Sequence, residues 1–213
     1  LRKVCFALAS KNVSTWTHGH SASKRFAKSM KTENVTSHEP IAVAVSGGVD
    51  SMSLLLLTHD WLQQRRKPFS LVALSVDHNL RAESAGEQDK IAGWLSSLQG
   101  VQHVQLKMEW NEFEHTDHPS ELNNNVDNDK TRSSQEPAVL LSKLQQSARD
   151  RRYALLVAEC KRQGISRLLV GHTFDDQLET FLFRLCRASG VAGLAGMQAT
   201  TVYDHVYITR PLL

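Results

Sequence analysis

The chain has 213 residues, 41% of them apolar and 22% charged, with 25 Lys and Arg against 22 Asp and Glu, which is the composition of an ordinary globular protein. Its longest fully apolar runs, such as Leu54 to Leu57, fall far short of the ~20 residues that cross a bilayer, which excludes a transmembrane helix and any membrane partner read from one. Three cysteines, Cys5, Cys160 and Cys186, form no C-x-x-C pair, which excludes a zinc ribbon and a disulfide framework.

In chain order, residues 1–38 come first, with seven Lys and Arg against one acid, Glu33, much Ser, Thr and His, and no sustained apolar period. They read as a disordered basic leader with the chemistry of a transit peptide, which would send the chain to a mitochondrion or plastid; without such a leader the compartment would be the cytoplasm. The folded domain is expected at 39–213. Ile41 to Val45 is a short apolar run that predicts a buried parallel strand, and Met52 to Gln64 predicts a helix. Leu71 to Val76 predicts a second strand, Ala82 to Leu98 a helix, and the more alternating Val101 to Met108 a strand nearer an edge. Residues 111–137 carry seven acids, two bases, Asn123, Asn124, Asn125, Pro119 and Pro137, and predict a disordered acidic insertion in a surface loop. A long helix from Val139 to Arg162, a strand at Arg167 to Val170 and a helix from Asp175 to Ala188 complete the pattern. Strand alternating with helix specifies an α/β fold with a doubly wound parallel sheet. Outside the leader and the insertion, sixteen bases face fourteen acids, less than the excess expected of a self-sufficient nucleic-acid binder.

Ligands of such sheets bind beyond the carboxyl ends of the strands, where Ser46 to Ser51, Asp77 to Arg81 and Gly171 to Asp176 fall. Ser46-Gly47-Gly48-Val49-Asp50-Ser51 joins a buried strand to a helix start. Its glycines permit a tight turn and close backbone approach, and helix-start N–H groups receive anions, so the loop predicts a phosphate cradle. It lacks the Gly-Lys-Ser/Thr of a Walker A loop and the G-x-G-x-x-G dinucleotide pattern. Asp50 would repel bare phosphate, which points to Mg²⁺ between carboxylate and phosphates. Asp176 and Glu179, three apart, share one helix face, and with His172 they could hold Mg²⁺ or receive a cationic amine; Thr173 and Asp176 also fit a helix-start capping pattern. Arg149 and Arg152 share a face that suits phosphates, and Arg151 is expected in solvent. Tyr153, Phe181 and Phe183 are expected in the core. Asp77 and His78 could contact a nucleotide or the metal, or form a strand-end turn, and Arg187, Ser189 and Gly190 an anion-contacting turn or a plain helix end.

The loop Ser46 to Ser51 resembles the S-G-G-x-D-S PP-loop of the N-type ATP pyrophosphatases, which implies the Rossmann-like fold of the adenine nucleotide alpha hydrolases. Later motifs resemble the tRNA(Ile)-lysidine synthase family. Asp77-His78-Asn79-Leu80-Arg81 is similar to its D-H-x-L-R, with Asn79 where glycine is usual. Ala148-Arg149-Asp150-Arg151-Arg152-Tyr153 is similar to A-R-x-x-R-Y, and Gly171 to Thr180 to G-H-x-x-D-D-Q-x-E-T. Arg187 to Met197 is similar to R-G-S-G followed by G-L-x-G-M, with Ala188 replacing a glycine, and Arg210 to Leu213 to R-P-L-L.

The resemblance covers about residues 40–213 apart from the insertion. It implies that ATP with Mg²⁺ adenylates the C2 oxygen of the wobble cytidine in a CAU-anticodon tRNA(Ile), releasing pyrophosphate. Free L-lysine then attacks C2 and AMP leaves. On that reading Ser46, Gly47, Gly48, Val49, Asp50, Ser51, His78 and Arg152 hold ATP, Asp50 and Asp176 hold the metal, Asp50 and Arg149 neutralise the transferring phosphoryl group, and Asp176, Glu179 and His172 receive and deprotonate the amine. Bacterial members often carry further tRNA-gripping domains, so a chain ending at Leu213 is expected to be a fragment or to recognise tRNA less fully. Two other readings remain: a PP-loop tRNA thiolase, disfavoured by the absence of paired cysteines, and a non-catalytic adenine-nucleotide binding module, for which so many ionisable groups are unnecessary.

Overall fold

The computed structural model describes residues 21–65, 70–77, 84–108 and 136–213. Strand β1 (Ile41–Ala44) lies at the centre of a six-stranded sheet, flanked by β2 (Leu71–Asp77) and β4 (Arg167–Leu169). The remaining strands are β3 (Val101–Lys107), β5 (Thr200–Tyr203) and β6 (Val206–Thr209), and the order is β3-β2-β1-β4-β6-β5. All pairings are parallel except the last, between β5 and β6. The expected doubly wound parallel sheet is present, and β3 takes the predicted edge.

Alternate residues of the central strands feed two cores. Ile41, Val43, Leu71, Ala73 and Leu169 face helices α2 (Val49–Gln63) and α3 (Ser84–Leu95) through Leu54, Leu55, Ile91 and Leu95. Ala42, Val72, Leu74 and Leu168 face α4 (Glu136–Arg162) through Leu156, Val157 and Cys160. Burial on both faces is why β1 and the first four residues of β2 are continuous apolar runs rather than alternating ones. Helix α4 opens three residues earlier than expected, with Pro137 in its first turn, where a missing N–H costs nothing. Glu136 and Pro137 are therefore helical rather than part of the insertion, and residues 111–135 lie outside the described residues.

Other sequence expectations change as well. Residues 21–38, read as the end of a disordered leader, belong to the domain: helix α1 (Ser21–Thr32) buries Phe26 and Met30, and Val35 follows them into the same core. The turn closes with Val35 N–H donating to the Met30 carbonyl at 2.8 Å, and Thr200 Oγ1 donates to Glu33 Oε2 at 2.6 Å. One apolar pair at i and i+4 in a Lys- and Ser-rich segment is enough to seat a helix when a ready-made groove receives it. Residues 1–20 lie outside the described residues.

The β5–β6 hairpin was not anticipated. Asp204 and His205 both take positive φ, 45° and 66°, the geometry of a type I′ turn, but without the glycine that normally announces one. Helix α5 (Phe174–Cys186) buries none of its residues. Phe181 and Phe183, expected in the core, are instead 38% and 55% exposed, because no part of α5 is buried against the sheet. Among the described residues no helix is long and apolar enough to cross a membrane.

Phe26→Ala or Met30→Ala should lower unfolding stability by about 2–4 kcal/mol in urea denaturation, as large-to-small changes in a closed core do. A change near zero would mean that α1 is not part of the cooperative domain.

Candidate active site

The strand order reverses direction at β1: the chain runs from β1 outward to β2 and β3, then returns to the other side of β1 as β4. Two chain segments therefore part at the carboxyl ends of β1 and β4, leaving a crevice between them. The loop after β1 is Ser46 to Gly48, and α2 starts at Val49. Gly47 has φ +76°, and a Cβ there would lie 3.1 Å from Ile91 Cδ1, so the turn requires glycine. Ser51 Oγ donates to the Gly48 carbonyl at 2.9 Å and accepts from Ser46 N–H at 3.2 Å, and the two serine hydroxyls are 3.2 Å apart. The N-cap, Gly48, makes no side-chain capping bond, which leaves the first-turn N–H groups directed outward.

The segment after β4 presses on this turn. A Cβ at Gly171 would lie 3.0 Å from both Cα and N of Ser51. Next, Thr173 caps α5: Asp176 Oδ2 accepts from Thr173 N–H at 2.7 Å and from its hydroxyl at 3.0 Å, and Asp176 N–H reaches Thr173 Oγ1 at 3.5 Å. This is a capping box, so one oxygen of Asp176 is engaged in holding the helix start.

Between the two segments lies a cavity of about 240 Å³. Its floor is apolar, with Ala44, Leu74, Val76, Tyr153, Leu156 and Val170; its rim is polar, with Ser46, Gly48, Asp50, Ser51, Arg152, His172 and Asp176. An apolar slot beside convergent polar groups suits a base joined to phosphates. The guanidinium groups of Arg152 and Arg149 stand 5.5 and 5.9 Å from the Tyr153 ring, within cation–π range. Tyr153 packs against the α4 core as expected and also forms a wall of the cavity.

The predicted residues are thus partly assembled. Ser46, Gly48, Asp50, Ser51, Arg152, His172 and Asp176 line one cavity. Gly47 shapes the loop and Val49 opens the helix behind it. Arg149 is exposed and outside the lining, although its charge acts on His172. Glu179 is exposed on α5, one turn beyond Asp176 and outside the lining. His78 lies outside the described residues. Asp50 and Asp176 share the cavity, and among the described residues no three His, Cys, Asp or Glu groups are arranged to hold a metal by themselves. That donor set fits Mg²⁺ only as an ion completed by substrate phosphates, the usual habit of this metal.

His172 is held neutral. Burial first, then the charges of Arg210 and Arg149, push it down to about 4, with Asp176 acting in the opposite direction. Its Nδ1 is buried without a partner, as is Nε of Arg210. Arg210 is 8% exposed and anchored by donation to the Gln198 carbonyl at 2.8 Å and to Thr201 Oγ1 at 3.2 Å. The sequence reading gave Arg210 no role. Its influence on His172 arises because β6 runs parallel beside β4, with Val170 N–H bonded to the Thr209 carbonyl at 3.0 Å and Thr173 bridged to Leu212. Gln177 was missed as well. Its amide donates to the Met197 carbonyl at 2.9 Å and accepts from Met197 N–H at 2.6 Å, joining α5 to the turn after the short helix α6 (Val191–Leu194). Arg184 donates to the Gly193 carbonyl at 2.7 Å in the same junction. The only advance signal was the Gln and Gly spacing itself.

Residues 19–213 match the PP-loop domain family. The chain belongs to that family. Among curated relatives, tRNA(Ile)-lysidine synthase from Rhodopseudomonas palustris is 36% identical over 173 residues, 81% of this chain and 42% of that protein. The protein of the same name from Wolbachia pipientis wMel is 36% identical over 173 residues, 81% and 34%, and that from Bradyrhizobium diazoefficiens 34% over 191 residues, 90% and 45%. The chain thus spans less than half the length of these relatives. Among solved structures, the U34-tRNA thiolase NcsA from Methanococcus maripaludis, described with its 4Fe–4S cluster, superposes with TM-score 0.58 at 17% identity, covering 89% of this chain and 56% of that one. That likeness establishes a shared PP-loop fold.

Two outcomes follow from the geometry. Gly171→Ala should displace the first turn of α2 and weaken ATP binding at least ~10-fold by calorimetry, because the added carbon meets backbone rather than a flexible side chain. For His172, the unfolded chain binds a proton below pH 6.5 that the folded chain does not take until about 4. Stability should therefore fall as pH drops through that window, by on the order of 1–2 kcal/mol once the ring's partial exposure is discounted. Urea melts of His172→Gln should lack that part of the slope.

Proposed function

We propose that this chain is the ATP-using catalytic domain of a tRNA(Ile)-lysidine synthase, joining free L-lysine to C2 of the wobble cytidine of a CAU-anticodon tRNA(Ile). The observation that carries the reading is the convergence of the PP-loop residues Ser46, Gly48, Asp50 and Ser51 with Arg152, His172 and Asp176 on one cavity. The name borne by the relatives at 34–36% identity points the same way.

Roles divide along the crevice. The outward N–H groups of the α2 start, with Ser46 and Ser51, hold the phosphates of ATP, and Arg152 reaches them from the opposite wall. Arg149, exposed outside the lining but close enough for its charge to act on His172, takes the charge that develops when the cytidine C2 oxygen displaces pyrophosphate at the α-phosphorus. Mg²⁺, when bound, neutralises phosphate charge, with Asp50 its principal protein ligand; Asp176, committed through Oδ2 to the Thr173 cap, offers its other oxygen. The amine arrives from the α5 side. Glu179, on the open surface one turn beyond Asp176, and Asp176 receive the ammonium group and help its proton leave to solvent, and neutral His172 assists as a hydrogen-bond partner of the free amine, which attacks C2 as AMP departs.

Thiolation has less support. Cys160 is fully buried and its thiol is pushed up to about 12 by burial and Glu159, so it does not ionise at neutral pH, while Cys186 is exposed on α5. The basic, acid-free stretch 1–20 supports import into a mitochondrion or plastid, which a fluorescent-protein fusion of those residues tests directly.

Pyrophosphate release with tRNA(Ile), ATP and Mg²⁺, followed by mass analysis of the anticodon nucleoside, tests the central reading: a lysine-dependent mass gain on cytidine is expected, and ATP binding with no pyrophosphate release in the presence of tRNA and lysine would leave only a nucleotide-binding module. Asp50→Asn should reduce pyrophosphate release at least ~100-fold, the scale of losing a charge-neutralising group. Glu179→Gln should raise the KM for lysine and leave that for ATP unchanged; equal effects on both would remove Glu179 from the amine site.

A further inference from the structure

Helix α1 carries Lys24, Arg25, Lys28 and Lys31 and no acid. All four are exposed, and among the described residues none of them pairs with a carboxylate. At about 100° per residue, Lys24, Lys28 and Lys31 fall within roughly 60° of one another and rise about 10 Å along the helix. They lie on the side away from Phe26 and Met30, which are buried. Counted with a leader, these bases stand outside the near balance of charge in the rest of the chain. Because α1 packs into the core, residues 21–38 bring four bases and a single acid, Glu33, into the folded domain, and that acid is engaged by Thr200.

The position of α1 ties this charge to the active site. Its end lies by the start of β4, where Arg167 donates to the Glu33 carbonyl at 3.3 Å. Its beginning lies beyond the carboxyl end of the same strand, where Ala22, Arg25 and Ser29 line a cavity of about 480 Å³ together with Thr173, Phe174 and Asp175. Helix α1 thus runs antiparallel to β4, and residues 172–176 form a lip with two sides. His172 and Asp176 line the crevice, whereas Thr173 and Asp175 border α1. The lysines lead away from that lip down the flank of the sheet.

A row of unpaired cations suits a polymer of regularly repeated negative charge. A lipid surface fits less well, because a helix that lies in a bilayer interface inserts its apolar side, and that side of α1 is already buried in the core. We propose that the face of α1 bearing Lys24, Lys28 and Lys31 binds the phosphate backbone of the RNA whose target nucleotide enters the crevice. This rests on the tRNA substrate of the proposed function. Contacts of this kind supply affinity and placement, not base choice.

Binding of a CAU-anticodon tRNA(Ile) transcript to the full chain, followed by fluorescence anisotropy from about 50 to 200 mM salt, tests it. Lys24→Gln, Lys28→Gln and Lys31→Gln together should weaken binding at least ~10-fold at the lowest salt and flatten the slope of log affinity against log salt by about 2. Arginine at the same three positions should retain wild-type affinity, as should Lys107→Gln on the opposite edge strand β3; circular dichroism and ATP binding should be unchanged throughout. A triple glutamine variant with wild-type affinity and salt slope would overturn this surface and leave the tRNA reading standing. Equal losses in the arginine variant would also overturn it, since they would show that the lysines act through the fold rather than through charge. A wild-type chain that binds no tRNA would overturn both the surface and the tRNA reading, and binding to phosphatidylserine vesicles through these lysines instead would assign the face to a lipid surface.

Discussion

The approach of Gly171 to the first turn of α2 is the constraint on which the site depends. At 3.0 Å from the Ser51 backbone to a virtual Cβ, nothing larger than hydrogen fits without moving the PP-loop. Because β1 and β4 are hydrogen-bonded neighbours, this approach fixes the distance between the phosphate-binding turn and the segment carrying His172 and Asp176. The cavity is therefore set by backbone, held by the sheet, rather than by flexible side chains. Such placement suits a group-transfer site, where misplacement by an ångström is costly.

Much of this was legible in the sequence, and where it was not the physics is identifiable. Burial on both faces makes Ile41–Ala44, Leu71–Leu74 and Leu168–Val170 apolar runs, so the strands could be read directly, as could the Gly47-Gly48 turn between strand and helix. Helix α1 was not legible because two buried residues, Phe26 and Met30, sufficed once the α2 surface was there to receive them; that surface exists only in the folded chain. The β5–β6 hairpin was hidden because Asp204 and His205 adopt left-handed backbone without glycine, stabilised by the pairing on either side. Phe181 and Phe183 misled in the opposite direction, since hydrophobicity says that a residue favours burial but not that its own domain supplies the cover.

Site chemistry divides along the same line. Residue types and spacing indicated which groups could bind phosphate and amine, because those depend on local structure. Electrostatic state did not follow from spacing. His172 is neutral owing to its burial and to Arg210, 38 positions later in the chain, a juxtaposition that only the parallel pairing of β4 and β6 creates. Asp176 shows the reverse: the local cap that the sequence pattern announced is present, and the same residue lines the cavity.

The two sides of the crevice also differ in how firmly they are held. Helix α2 is buried along nearly its whole length, from Ser51 to Leu62, and carries the phosphate turn on a rigid base. Helix α5 is tied only locally: by the Thr173–Asp176 cap at its start, and by Gln177 and Arg184 to the α6 turn. Elements with few buried contacts open at low free-energy cost. A displacement of α5 would therefore move Asp176 and Glu179 while leaving the phosphate turn on its buried base.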